Sequence, residues 1–185
     1  MASASPDQPP GIAEAASPLA ALSAFQASGV ASFDALRRLA RRSSTAAVDV
    51  SERDAAHAAL AWVDRCVAVH HRVLEDVLLP ELIESMAGSD PVCLRELAAA
   101  AIAGHHAMER PWRIVRPGCA ALSNGSPEAL DAGAVLALVD ACRANFLRAD
   151  RELIPLAGRL LDDAALTRLR KCLETRDRAF GTPVA

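Results

Sequence analysis

The chain is predicted to be all-α: an up-and-down antiparallel four-helix bundle with a short C-terminal fifth helix. Three observations predict it. The residues are 52% hydrophobic but only 3% aromatic, with no tyrosine and an abundance of Ala, Leu and Arg, which favour helices over strands. Apolar residues recur at steps of three and four along four long segments, the period of a helix with one buried face. Proline, glycine and serine punctuate the gaps between them. At 185 residues the chain has the length of roughly one domain.

Residues 1–17 are rich in Pro, Ser, Gly and Ala and read as a disordered N-terminal tail. The bundle is expected over 18–176, with 177–185 as a C-terminal tail. Helix one starts at Pro18 with the stripe Leu19, Leu22, Gln26, Gly29, Phe33, Leu36 and Ala40, and runs into Arg37, Arg38, Arg41 and Arg42, which suit a helix C-terminus. Helix two is expected to be capped by Ser51, with Glu52 and Asp54 in its first turn. Its stripe is Leu60, Val63, Val67, His71, Leu74, Leu78 and Leu82, with His70 at the margin, and Pro80 should kink it or mark its last turns. An Asp90 cap followed by Pro91 opens helix three, whose stripe is Leu94, Leu97, Ala101, His105, Met108, Trp112 and Val115. Pro127 is expected to open helix four, with Val135, Leu138, Cys142, Asn145, Ala149, Leu153 and Leu160 in phase. Leu166, Leu169 and Leu173 form a fifth, shorter helix from Asp162 to about Arg176.

Charge and cysteine usage exclude several classes of function. Twenty basic and 23 acidic residues are scattered to a net charge of −3, so there is no basic field for nucleic acid. Cys66, Cys93, Cys119, Cys142 and Cys172 are odd in number and widely spaced, as reduced structural thiols are. The N-terminus has no secretory signal pattern, and no run reads as charge-free enough to span a bilayer. The expectation is a cytoplasmic protein without membrane or nucleic-acid partners, a monomer or homodimer. No phosphate loop or nucleophilic triad is visible and no catalytic residue is named, so an enzyme reading would have to rest on a metal.

All four stripes carry polar residues near mid-helix: Gln26, then His71 with Glu75 one turn on, then His105 with Glu109 one turn on, then Asn145 with Asp150 at its border. In a bundle these heights can coincide, and facing helices are where bundles build metal sites. A faint repeat aligns VLEDVLLPEL with LRADRELIPLA at an offset of 75 residues and sets Glu75 against Asp150. Adjacent helical residues point about 100° apart, so only one of each pair, His70–His71 and His105–His106, can face inward; His71 and His105 are the expected ones. His57 lies about 21 Å along the axis from His71 and reads as a surface residue.

These residues resemble the hemerythrin-like, or HHE cation-binding, domain family. The likeness rests on His70-His71, Glu75, Leu78 to Pro80, His105-His106, Trp112 and Leu153 to Ala157, over about residues 18–176. It implies a bundle that binds iron and a small ligand such as oxygen, nitric oxide or peroxide. The chain departs from the family pattern with Gln26 and Asn145 where imidazoles are expected, and with Ala149 where a carboxylate is expected. Amides are weaker donors than imidazole for transition ions. The nominated ligands are His71, Glu75, His105, Glu109, Asp150 and His70, with Gln26, Asn145 and His106 lining the site. The expected function is metal binding at a mononuclear iron or zinc site on a two-His, one-carboxylate set; the alternative is a metal-free scaffold or interaction protein whose polar core is closed by hydrogen bonds.

Overall fold

The computed structural model describes residues 17–42, 44–85 and 92–179. Among them every regular element is helical and none is a strand. The helices are α1 (Pro18–Leu39), α2 (Val50–Ala61), α3 (Ala68–Val73), α4 (Leu79–Ser85), α5 (Val92–Ser123), α6 (Ala132–Arg148), α7 (Ile154–Leu160) and α8 (Asp163–Ala179). Three π turns, Trp62–Val67, Leu74–Leu78 and Ala149–Leu153, join α2 to α3, α3 to α4 and α6 to α7, so that five helical rods result. The N-terminal tail before Ser17, the Asp90-Pro91 start of helix three and residues 180–185 lie outside the described residues.

Local chemistry explains the ends. Ser17 accepts the Ala20 amide at 3.1 Å and starts α1. The cap of α2 is Asp49, not Ser51: its carboxylate takes the Glu52 amide at 2.8 Å, the Glu52 carboxylate takes the Asp49 amide at 3.2 Å, and the Ser51 hydroxyl donates to Asp49. The two-way exchange satisfies two amides where Ser51 could satisfy one. For the same reason α6 begins at Ala132 rather than Pro127. Asp131 offers its carboxylate to the Ala134 amide at 2.8 Å, and proline has no side-chain acceptor to offer. α8 is capped by Asp162 through the Ala165 amide and runs to Ala179, past the expected end near Arg176.

The prolines shape two of the π turns. A proline ring clashes with the carbonyl four residues back and brings no N–H. For Pro80 that carbonyl is on Asp76, and for Pro155 on Arg151, both within π turns. There the helix is one residue wider, with Leu79 N–H reaching Leu74 O and Ile154 N–H reaching Ala149 O. The two turns and the seven-residue helices after them repeat at the 75-residue offset seen in the sequence. In α5, Pro111 and Pro117 are carried inside one continuous helix.

The chain divides into two compact units. Unit 1 takes its described residues from 17–28, 68–85, 92–102 and 146–179. Its core gathers Leu22, Leu74, Leu78, Leu82, Leu153 and Leu169, all essentially inaccessible. Within it α4 packs on α7, and α8 packs on α3 and the second π turn. Arg168 of α8 grips Glu81 of α4 through both carboxylate oxygens.

Unit 2 takes 29–67 and 103–145. Phe33 and Trp62 meet edge to face at 5.2 Å, and Leu36, Leu122, Leu138 and Val139 are fully buried. Arg42, whose side chain is 4% exposed, donates to the Glu52 carboxylate and to the carbonyls of Ala46 and Glu128. Trp112 Nε1 and the Arg116 guanidinium both donate to Asp64 in the first π turn. Gly125, at φ 80°, turns the chain after α5, a left-handed conformation that costs an L side chain energy. α1 is the one helix among the described residues long and apolar enough to cross a membrane, which corrects the expectation that none is. Of its most apolar stretch 44% is buried within the protein itself.

Candidate functional site

The nominated residues fall in both units. In unit 1, α1 presents Gln26, only 4% exposed, on the face it was expected to occupy. The histidine assignment is reversed: His70 is the fully buried member of its pair and His71 is half-buried. Val67, Leu74, Leu78 and Leu82 are buried as the stripe predicts, and between Val67 and Leu74 a helical stripe can step through either position; the structure steps through His70. His70 stacks on the Phe25 ring with centroids 4.4 Å apart, and Phe146 meets it edge-on at 6.2 Å. Glu75 is half-buried in the second π turn.

Asp150 opens at the surface in the third π turn, yet its carboxylate reaches back to α1. Ser23 Oγ donates to Asp150 Oδ1 at 2.9 Å. The Gln26 amide, with its nitrogen turned the way its neighbours require, donates to Asp150 Oδ1 at 3.0 Å and Oδ2 at 3.2 Å. The same nitrogen donates to the Phe146 carbonyl at 3.2 Å. Ser23, Phe25 and Phe146 were not singled out in the sequence. The signal for Ser23 was its spacing, three residues before Gln26 on the same face of α1.

In unit 2, α5 and α6 run antiparallel, with Met108 against Cys142 and Gly104 against Asn145. His105 and Asn145 are each 3% exposed, as the stripes predict. Cys142 Sγ donates to Met108 Sδ at 3.0 Å. One turn away, Asn145 Oδ1 lies so near the α5 backbone that a Cβ on Gly104 would stand 2.5 Å from it. Glu109 is not turned inward. Its carboxylate meets His106 Nδ1 at 2.7 Å on the outer face, with both side chains more than half exposed. Glu109 stands at the edge of the narrow stripe that His105 and Met108 define, and an uncompensated carboxylate there would lose its hydration. His106 is therefore a surface residue here rather than part of a lining, and His57 is exposed as expected.

The residues present do not fit the iron-binding set that the resemblance implies. Among the described residues no three His, Cys, Asp or Glu side chains gather as metal ligands. An ion needs donors converging at about 2.0–2.2 Å on one point. Here Glu109 is turned outward to His106, Asp150 is engaged with Ser23 and Gln26, and the Gln26 amide presents hydrogen rather than oxygen to the carboxylate.

Buried thiols are the other chemistry-bearing groups. Burial pushes the Cys142 thiol up to about 12, and burial with the nearby Asp64 charge does the same to Cys119. Both stay protonated at neutral pH and lack the thiolate a nucleophile needs. Cys93 is exposed, Cys172 is half-buried, and all four are free thiols. Set against protein-family models, curated proteins and solved structures, the chain matches none of them.

Proposed function

We propose that the chain is a four-helix, up-and-down bundle of hemerythrin type that works without core iron, as a cytoplasmic scaffold that acts through contacts with other proteins or a second copy of itself. The observation that carries this reading is the dispersal of the nominated donors. Glu109 and His106 pair with each other on the outer face, and no three metal-ligating side chains gather among the described residues. A bundle core can keep polar residues without a metal when they are hydrogen-bonded.

A second reading has one observation in its favour. His71 and Glu75 are a turn apart at the second π turn, and π turns inside helices are frequent at functional sites. A mononuclear iron or zinc ion held there, open to oxygen, nitric oxide or peroxide, would use that pair. Elemental analysis of protein purified without tag or chelator, then loaded anaerobically with Fe(II), separates the two. The scaffold reading expects no stoichiometric metal before or after loading. One ion per chain that disappears in His71→Ala would establish the second reading in its place.

A further inference from the structure

We infer that Gln26 is not the remnant of a lost metal ligand but the fastening of the unit 1 polar core, a hydrogen-bond clamp that joins α1 to the third π turn through Asp150. The inference rests on the reading that this core works without iron.

The argument starts from what a primary amide can do that an imidazole cannot. The nitrogen of Gln26 carries two protons, and the structure uses it in two directions: toward the Asp150 carboxylate at 3.0 Å and toward the Phe146 carbonyl at 3.2 Å. Phe146 lies four residues before Asp150, so one nitrogen holds a side chain and the backbone a turn away from it. A neutral imidazole has one N–H in all, and each of its nitrogens can serve one partner. Histidine at position 26 would leave the carbonyl or the carboxylate without this donor.

Ser23 supplies the second jaw. It stands three residues before Gln26 on the same face of α1 and donates to Asp150 Oδ1 at 2.9 Å. The carboxylate thus receives a hydroxyl and an amide from one helix. Hydrogen bonds to a charged acceptor are about twice as strong as neutral ones. The clamp closes on a place where the helix is already widened, since Asp150 sits inside the turn that precedes Pro155. The clamp holds α1 to that turn, the mechanical part that a shared ion plays in a metal-bearing bundle.

The test compares Gln26→Leu, Gln26→His and the milder Ser23→Ala with wild type. The readouts are urea unfolding, amide hydrogen exchange over the third π turn, and iron content after Fe(II) loading. Gln26→Leu is expected to lose stability, with the unfolding equilibrium constant raised roughly ten- to a hundredfold, the range for a hydrogen bond to a charged group. Gln26→His should lose a comparable amount and take up no iron, and Ser23→Ala should lose less while speeding exchange in the same turn. Should Gln26→Leu prove too unstable to purify, Ser23→Ala alone decides by that local exchange. Gln26→Leu as stable as wild type, with unchanged exchange, would overturn the clamp and leave the iron-free reading standing. Gln26→His that gains iron and stability would show a vacated ligand position and overturn it too. Iron in wild type lost together with stability in Gln26→Leu would make Gln26 a ligand and overturn both.

Discussion

At the scale of single residues, the tightest constraint is the one between Gly104 and Asn145. A methyl group on Gly104 would stand 2.5 Å from Asn145 Oδ1, and that amide is itself buried. Gly104→Ala is therefore expected to destabilise the protein by about 1–3 kcal/mol through overpacking, although alanine is the better helix former by about 1 kcal/mol. Adding Asn145→Ala removes the obstacle, so the double variant should be more stable than the sum of the two single effects predicts. Urea unfolding of the four proteins measures that coupling. Strict additivity would mean that the two side chains do not compete for the space. The residue scale is also where the candidate site was least legible. Gln26, His105 and Asn145 were correctly placed in the core, because each continues an apolar stripe whose neighbours are buried. Glu109 obeys the same spacing and still faces solvent, because desolvating a carboxylate outweighs a favourable phase.

At the scale of elements, hydrophobic periodicity identified all five rods, and local chemistry that periodicity does not carry decided their details. Val135, Leu138, Cys142 and Leu153 are buried in the order the fourth stripe gives them. The start of that helix depended instead on which of Pro127 and Asp131 could accept an amide hydrogen bond. His70 displaced His71 because a stripe running from Val67 to Leu74 can step through either position and periodicity does not choose between them; of the three π turns, the second and third carried a proline signal, Pro80 and Pro155. The clasp between α8 and α4 is an element-level feature with a pH signature. The Arg168 guanidinium hydrogen-bonds Glu81 and holds its carboxyl below the ordinary 4.5, with burial working the other way. A depressed folded value contributes stability that is complete above 4.5 and is lost as pH falls through the folded value. Glu81→Gln is expected to flatten that part of the acid limb of a stability profile. An acid limb identical to that of wild type would show that the fork adds nothing to folding.

At the scale of the whole molecule, each unit is assembled from segments distant in sequence. Unit 1 draws on three stretches of chain and unit 2 on two, with α1, α5 and α6 contributing residues to both. Long-range assembly of this kind makes global stability sensitive to groups buried at any one place. Cys119 and Cys142 are such groups. Their folded values near 12 lie above the ordinary 9.0, so they favour the folded chain fully below 9.0 and withdraw that support as pH rises toward 12. Stability measured from pH 8 to 11 should fall, and Cys142→Ala should fall less steeply; equal slopes would assign the loss to other groups. The same burial gives the molecule an internal stopwatch. A thiol reagent added to the native protein meets Cys93 at once, whereas Cys119 and Cys142 wait until the core opens, so their labelling times the breathing of unit 2 without any engineered probe.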